Sequence, residues 1–385
     1  MPWMETEPMN EKVKFIAAYL DNSEETFVAL CTRFNISCKT GYKYVNRYKN
    51  EGIKGLDERP RIPHTQPNRM SLDIENSIRE VKRHYPTWGA KKIHHWLTQE
   101  YASCVWPAKS TIGDFLKRHK LVRPAKRKRR VMPYQEPLRL CTQPNDNWSI
   151  DYKGQFRLGN QAMCYPLTVT DNFSRFVFAI DGEYGISGAH AKRVLMRLFA
   201  EFGLPSVIRS DNGSPFASHG LSGLSSLAVW LIKLGILPER IRKGHPEENG
   251  RHERMHATLK RETASPPQWD LAKQQRCFDH FKRVFNQERP HEGIGFNRPQ
   301  WLYTPSERRL PKKLEQVEYD RRFLDTRRIR TNGTMKWAGK EIFVSETLVG
   351  ETIGMKPQNE HEWLIYFSFF PLAIFNEKTL QVTRL

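Results

Sequence analysis

The 385-residue chain holds no run of about eighteen apolar residues, the length a membrane-spanning helix needs. Its most apolar stretch, "WLIYFSFFPLAIF", is short, interrupted by Pro371 and alternates as strands do. The opening "MPWMETEPMN" lacks the basic-then-apolar pattern of a signal peptide, so a soluble, cytoplasmic protein without a membrane partner is expected. Cysteine is sparse: six residues, at 31, 38, 104, 141, 164 and 277, with no CxxC pair. That spacing supports neither a clustered zinc site nor a disulfide framework, and reduced, mostly buried thiols are expected. Negative charge is also short. Against 62 Lys and Arg stand 42 Asp and Glu, a formal net charge of +20, which favours a polyanion such as DNA over a small-molecule substrate.

The N-terminal region reads as three short helices, "EKVKFIAAYL", "SEETFVALCTRF" and "SCKTGYKYVNRYKNEG". Val13, Ile16, Ala17 and Leu20 recur at helical spacing, as do Phe27, Leu30, Cys31 and Phe34, so each helix has a face to bury. Ser23 and Ser37 are placed to cap the second and third helices. Between those two helices Asn35 tolerates the left-handed conformation of a tight turn. On the third helix Lys39, Tyr42, Lys43, Asn46 and Arg47 offer donors to phosphates and base edges, while Val45 and Tyr48 can face inward. This is a helix-turn-helix pattern over 10–60; the plainer alternative is a three-helix bundle with a solvated basic face.

A Pro-rich linker leads to a second helical unit at 68–122, winged-helix-like in its pattern, with Ile74, Ile78 and Val81 on one face and Ile93, Trp96 and Leu97 on another. Within "KSTIGDFLKRHKL", a possible second recognition helix, Thr111 and Asp114 resemble a capping box. A linker at 123–146 begins "RPAKRKRR", six basic residues in eight. Lys126, Arg127, Lys128, Arg129 and Arg130 cannot pack against one another and suit a DNA backbone.

From 147 the pattern changes to strands. "NWSIDYKGQFRL", a turn at Gly159-Asn160, "MCYPLTVTD" and "RFVFAID" read as three antiparallel strands, followed by strand and helix alternation. The fold class is multidomain: all-α helix-turn-helix units, a mixed α/β domain over 147–310, and a small all-β barrel over 311–385. Within the α/β domain Asp151 sits in an apolar strand, where a carboxylate is costly unless paired or hydrogen-bonded. Asp211 precedes Asn-Gly in a turn, and Asp171 has the option of being a loop cap. Three carboxylates meeting at a sheet edge would suit Mg²⁺, which takes few carboxylates and leaves room for phosphate oxygens and water. A third acid would come from "GHPEENGRHERMHATLKRE", with Glu247, Glu248, Glu253 and Glu262 as candidates.

"SIDYKG", "SDNGSPF" and "GHPEENGRHERMHATLK" together resemble the catalytic core of integrase-type DDE transposases of bacterial insertion sequences, the superfamily that includes retroviral integrases. "LCTRFNISCKTGYKYVNRYKNEGIKGLDERPRIPH" and "FNQERPHEGIGFNRPQWLYTPSER" extend the resemblance over most of the chain, thinning over 65–145 and after 310. It implies a ribonuclease-H-like catalytic domain, an Asp-Asp-Glu triad and a divalent metal, Mg²⁺ or Mn²⁺. The family pattern P-x-x-N/Q-G-x-x-E is met by Pro246, Asn249, Gly250 and Glu253, which nominates Glu253. The family's common gap of 35 residues, counted from Asp211, lands instead on Glu247, whereas Glu253 leaves 41. Asn249-Gly250 marks a loop or helix start, which puts Glu247 and Glu248 in a mobile loop and Glu253 in the first helical turn. Glu262 reads as solvated. His256 reads as structural or as a phosphate contact rather than a metal ligand, for want of a partner His at ligand spacing. Lys260 matches a family position that contacts DNA near the cleaved end, or is a surface lysine.

The implied function is a bacterial, nucleoid-associated transposase with Asp151, Asp211 and Glu253 as catalytic and metal-binding residues. It would bind terminal inverted repeats in double-stranded DNA, cleave the ends and join the 3′-hydroxyl to target DNA, acting as a homo-oligomer. The alternatives are a catalytically silent DNA-binding regulator and a nuclease that stops after hydrolysis.

Overall fold

Local capping and burial explain the N-terminal helices in the computed structural model, which describes residues 8–21, 25–59, 70–122, 140–152, 154–218, 223–242 and 245–385. The chain forms two compact units, 1–70 and 71–385. In the first, α1 (Pro8–Leu20), α2 (Phe27–Arg33) and α3 (Cys38–Glu51) enclose a core of Phe15, Ile16, Leu30, Cys31, Tyr44 and Val45. Asn35 takes the left-handed turn conformation, φ 52°, and Ser37 Oγ accepts from Thr40 N at 3.2 Å. Helix α2 is capped by Thr26, not Ser23, which lies outside the described residues. The buried face of α1 also differs from the periodicity. Val13 and Leu20 are exposed, while Phe15 packs edge-on against Phe27 and Phe34 and Lys12 Nζ donates to the Leu56 carbonyl at 3.2 Å. Aromatic packing and one buried ammonium thus set the rotation of this helix. Gly41 allows α2 and α3 to approach, since a Cβ there would stand 2.7 Å from Cys31 Sγ.

The second unit begins with α4 (Leu72–His84), α5 (Ala90–Glu100) and α6 (Lys109–Arg118), which bury Ile78, Val81, Ile93, Leu97, Ile112 and Phe115. The capping box expected at Thr111 is not formed. Helix α6 starts two residues earlier, after Ala108, so Thr111 is already inside it and Asp114 pairs with Lys117 instead.

The α/β region is built on a mixed sheet of β1 (Asn147–Tyr152), β2 (Phe156–Arg157), β3 (Met163–Asp171), β4 (Val177–Glu183), β5 (Val207–Ser210) and β6 (Leu237–Arg240). Its path is β2-β3-β1-β5-β6, with β4 on β3; β1 is antiparallel to β3 and parallel to β5. Period-two alternation divides the sheet between two layers. Trp148, Ile150, Leu167 and Val169 face α7 (Gly188–Phe202) and α8 (Ser226–Lys233), packing with Leu195, Phe199, Trp230 and Leu231. Cys164 and Ile180 face the other way, toward Met255, Leu259, Phe278 and Phe281 of α9 (Gly250–Thr263) and α10 (Leu271–Gln287). Burial of Phe178 and Phe199 contributes on the order of 2–3 kcal/mol each. This three-layer arrangement is the expected α/β domain.

After α11 (Pro299–Leu302) come β7 (Asp325–Arg328), β8 (Thr334–Trp337), β9 (Lys340–Phe343), β10 (Thr352–Pro357), β11 (Glu362–Phe367), β12 (Phe370–Asn376) and β13 (Gln381–Arg384). The hydrogen-bonded ladder does not close into the expected barrel. It runs β13-β12-β11-β10-β7 as an open sheet, with β8 and β9 a separate hairpin. That hairpin shares the core through side chains, Trp337 meeting Trp363 and Phe375 at 5.0 and 5.1 Å. Ala228, Val229 and Ile232 of α8 belong to the same core, so the C-terminal sheet is packed onto the α/β region.

Candidate active site at the sheet edge

Ser149 of β1 stands beside Arg209 of β5 in the last pair of the parallel register. Asp151 follows within β1 and Asp211 comes directly after Ser210, the last residue of β5, so each lies toward the C-terminal end of one of two adjacent parallel strands. Asp151 belongs to the face covered by α9. Asp151 is opposite Thr168, whose hydroxyl meets two imidazoles of α9, and Arg209 Nη1 donates to the Glu248 carbonyl at 3.3 Å, just before α9 begins. Asp211 is held by a local turn, its Oδ1 accepting from Gly213 N at 3.0 Å, while Asn212 Nδ2 donates to the Ile241 carbonyl at 2.7 Å.

Helix α9 is tied to β1 as well. His256 Nδ1 lies 3.6 Å from Asp151 Oδ2, and Thr168 donates its single hydroxyl proton to the Asp151 carbonyl at 3.0 Å. Both imidazoles therefore present Nε2–H to the Thr168 oxygen, each at 2.7 Å, and His256 turns Nδ1 toward the carboxylate. Glu253, exposed in the first turn of α9, stands three residues before His256. At about 100° per residue, Glu253, His256 and Lys260 fall within about 60° of one another on the helix. Glu253 is thus bracketed by the tie to β5 and the tie to β1. Lys260 is exposed beside Gly154 and Gln155, past the end of β1.

Atoms of Asp151, His252 and His256 able to bind a metal lie within 4.8 Å of one another. His256 accordingly has a partner at helical ligand spacing, four residues earlier, contrary to the sequence reading. Both His252 nitrogens are already engaged, however, Nδ1 with Thr170 Oγ1 at 2.8 Å and Nε2 with Thr168. Among the described residues the donors brought together are the Asp151 carboxylate and the two imidazoles, while Asp211 and Glu253 lie outside that cluster. A carboxylate beside an imidazole is chemistry that suits a divalent cation.

Other acids have structural roles. Asp171 is buried, accepting from Asn145 N at 3.0 Å and from Ser174 N and Oγ at 2.7 and 2.6 Å; burial still raises its pKa. Glu248 is not in a solvated loop. It lies in a short 3-10 turn, Pro246–Asn249, continuous with α9, and is buried against Arg242 N and Nε at 2.7 and 2.5 Å. Glu262 is not solvated either, accepting from Arg289 Nη1 at 2.8 Å and Thr87 Oγ1 at 2.5 Å. On α3, Lys39, Tyr42, Lys43 and Asn46 are exposed and Arg47 half-buried, while Lys126, Arg127, Lys128, Arg129 and Arg130 lie outside the described residues.

Residues 141–246 match the integrase core domain family, and residues 234–299 match a second family of that description. The chain carries an integrase core domain. Residues 40–116 match a homeodomain-like domain family. An uncharacterized 39.2 kDa protein of insertion element IS476 from Xanthomonas euvesicatoria is 28% identical over 231 residues, 60% of this chain and 64% of that protein. The uncharacterized 31.7 kDa protein of insertion element IS407 from Burkholderia multivorans is 29% identical over 181 residues, 46% of this chain and 62% of that protein. The chain therefore spans less than two thirds of the length of these relatives. The HTLV-2 integrase catalytic core, in complex with magnesium, aligns with 42% of this chain and 97% of that one, at 15% identity and TM-score 0.33. The resemblance to integrase-type transposases of insertion sequences is borne out by the domain matches and the insertion-element relatives. No helix of the described residues is long and apolar enough to cross a membrane.

The buried imidazoles make the integrase core acid-sensitive. Burial pushes His252 down to about 3, and burial with nearby Arg289 does the same to His291. An unfolded histidine titrates near 6.5, so the stability of burying each neutral ring is complete above that pH. It is lost as pH falls and the unfolded chain takes up protons. Moving from pH 7.5 to pH 5 is expected to remove about 2 kcal/mol per ring, roughly 4 in all. Urea unfolding at the two pH values checks this; an unchanged midpoint would show that the rings are not buried neutral.

Proposed function

We propose that this integrase-core protein is a DNA transposase, a reading supported by Asp151 and Asp211 toward the ends of adjacent parallel strands and by α9, which bears Glu253 and packs over Asp151. These three carboxylates would hold Mg²⁺ or Mn²⁺, which when bound supplies Lewis-acid activation of a water or a 3′-hydroxyl and relieves charge on the phosphate. The chain's own residues position the site. Arg209 and Glu239 pair at 2.7 Å beneath the β5 end, and Thr168 joins the Asp151 carbonyl to His252 and His256 of α9. Attack in line on a terminal phosphodiester would free a 3′-hydroxyl, and the same edge would direct that hydroxyl at target DNA.

The exposed polar face of α3 would read terminal inverted repeats with Lys39, Tyr42, Lys43, Asn46 and Arg47. The basic run Lys126 to Arg130 and Lys260 would hold backbone, and two ends brought together imply a homo-oligomer on DNA. The C-terminal sheet and its hairpin would assist assembly or target contact.

Incubating the full chain with repeat-ended duplexes, target DNA and Mg²⁺ tests the reading. Joined strand-transfer product is expected; nicks without joining would indicate a nuclease, and binding alone a silent regulator. Lys43→Glu with Arg47→Glu is expected to lower affinity for repeat DNA by at least tenfold, as lost base-edge and phosphate contacts require. Undiminished repeat binding, measured by anisotropy, would remove α3 from recognition.

A further inference from the structure

Helix α9 presents a second charged face. Arg251, Arg254 and Thr258 lie about 100–160° around the helix from Glu253 and border a cavity of about 230 Å³. Lys92 of α5, Arg175 of the β3–β4 turn, and Arg289 and His291 after α10 complete its basic lining, over a floor that includes Met255 and Phe285. Four separate segments thus bring four arginines and a lysine, with His291, to one hollow. Of the nearby carboxylates Glu262 already compensates one lining cation, Arg289, and the others are engaged elsewhere. Glu262 binds Arg289 and Thr87, Glu292 pairs with Lys91, and Asp171 is enclosed by Asn145 and Ser174. Arg175 and Arg251 both donate to one neutral acceptor, the Asn172 carbonyl, at 2.7 and 3.1 Å, which leaves further guanidinium N–H groups beside the cavity.

Like charges gathered in a partly buried space are unfavourable without an anion. Burial, with Arg289 next in effect, pushes Lys92 down to about 7, and burial with Arg251 pushes Arg175 down to about 10. A helix is about 10 Å wide, so a strand crossing α9 can leave one phosphate in this hollow while a phosphodiester about two nucleotides along reaches the Glu253 side. We infer that the cavity lined by Lys92, Arg175, Arg251, Arg254 and Arg289 holds a phosphodiester phosphate of the DNA strand that enters the catalytic edge. This assignment rests on the proposed action on DNA.

The test uses the full chain and Lys92→Met, which keeps the side chain's length and removes its charge. In anisotropy titrations of a repeat-ended duplex, the variant is expected to bind about tenfold more weakly and to lose about one unit from the slope of log affinity against log salt. The groups whose charge acts on Lys92 are Arg289, Arg261, Glu262 and Glu292. At pH 8 a phosphate placed among them restores a proton to Lys92, so calorimetry in buffers of different ionisation heat is expected to show proton uptake by the parent chain and not by Lys92→Met. Melting temperature confirms that the variant is folded. Equal slope and equal proton uptake in the two proteins would overturn the assignment alone, whereas a parent chain that does not hold DNA would overturn it together with the functional reading. If inorganic phosphate but not DNA binding depends on Lys92, the cavity serves a free anion and the strand assignment fails.

Discussion

Glu253→Gln is expected to reduce end cleavage and joining at least roughly a thousandfold, a barrier increase of about 4 kcal/mol. The amide keeps the shape of the side chain and removes the charge that a hard cation needs. Because Glu253 is exposed in the first turn of α9, stability should change by no more than about 0.5 kcal/mol. Loss of activity in a folded protein is therefore the expected signature. Glu247→Gln should retain most activity: Glu247 belongs to the 3-10 turn before α9, not to the helix anchored on β1 through His256. A Glu253→Gln protein that cleaves normally, beside an inactive Glu247→Gln, would transfer the third acid to the position the 35-residue spacing selects.

Glu262→Ala should destabilise the second compact unit by about 3 kcal/mol. Arg289 is almost wholly buried, and removing its carboxylate partner leaves a guanidinium without compensation, a change that commonly costs about 3–5 kcal/mol. The lower end is appropriate because the Glu262 side chain retains 18% exposure. Thr87 loses its acceptor in the same step, which loosens one tie between the α4–α6 helices and the integrase core. Tyr85 bonded to Glu288, Lys91 to Glu292 and Arg298 to Glu100 supply others, so the helices should remain attached while the denaturant midpoint falls. A midpoint within error of the parent would show that Arg289 is already satisfied without Glu262.

Most secondary elements were legible because their signals are local. Leu30 and Cys31 recur at helical spacing, Ser37 caps α3, Asn35 adopts the left-handed turn and the strands around Asp151 follow apolar patterning. The rotation of α1 was not legible, because three aromatic rings and the buried Lys12 ammonium, rather than the count of apolar positions, select its inner face. The barrel reading failed in its closure. Strand patterning identifies strands, but whether β8 and β9 join a neighbouring ladder depends on backbone register that no local pattern specifies.

The stretch around Glu253 divides in the same way. Its sequence by itself determined which carboxylates were on offer and where a helix would begin, because residue chemistry and the Asn249-Gly250 punctuation act over a few positions. Only the tertiary structure decided what the neighbouring charges do: Glu248 is buried on Arg242, Glu262 is joined to Arg289, and His252 and His256 are fitted under β3. It also gathered Lys92, Arg175, Arg251, Arg254 and Arg289 from four distant segments into one cavity. Those pairings depend on contacts between residues far apart in the chain, whose free energy exists only once the sheet and its covering helices have brought them together.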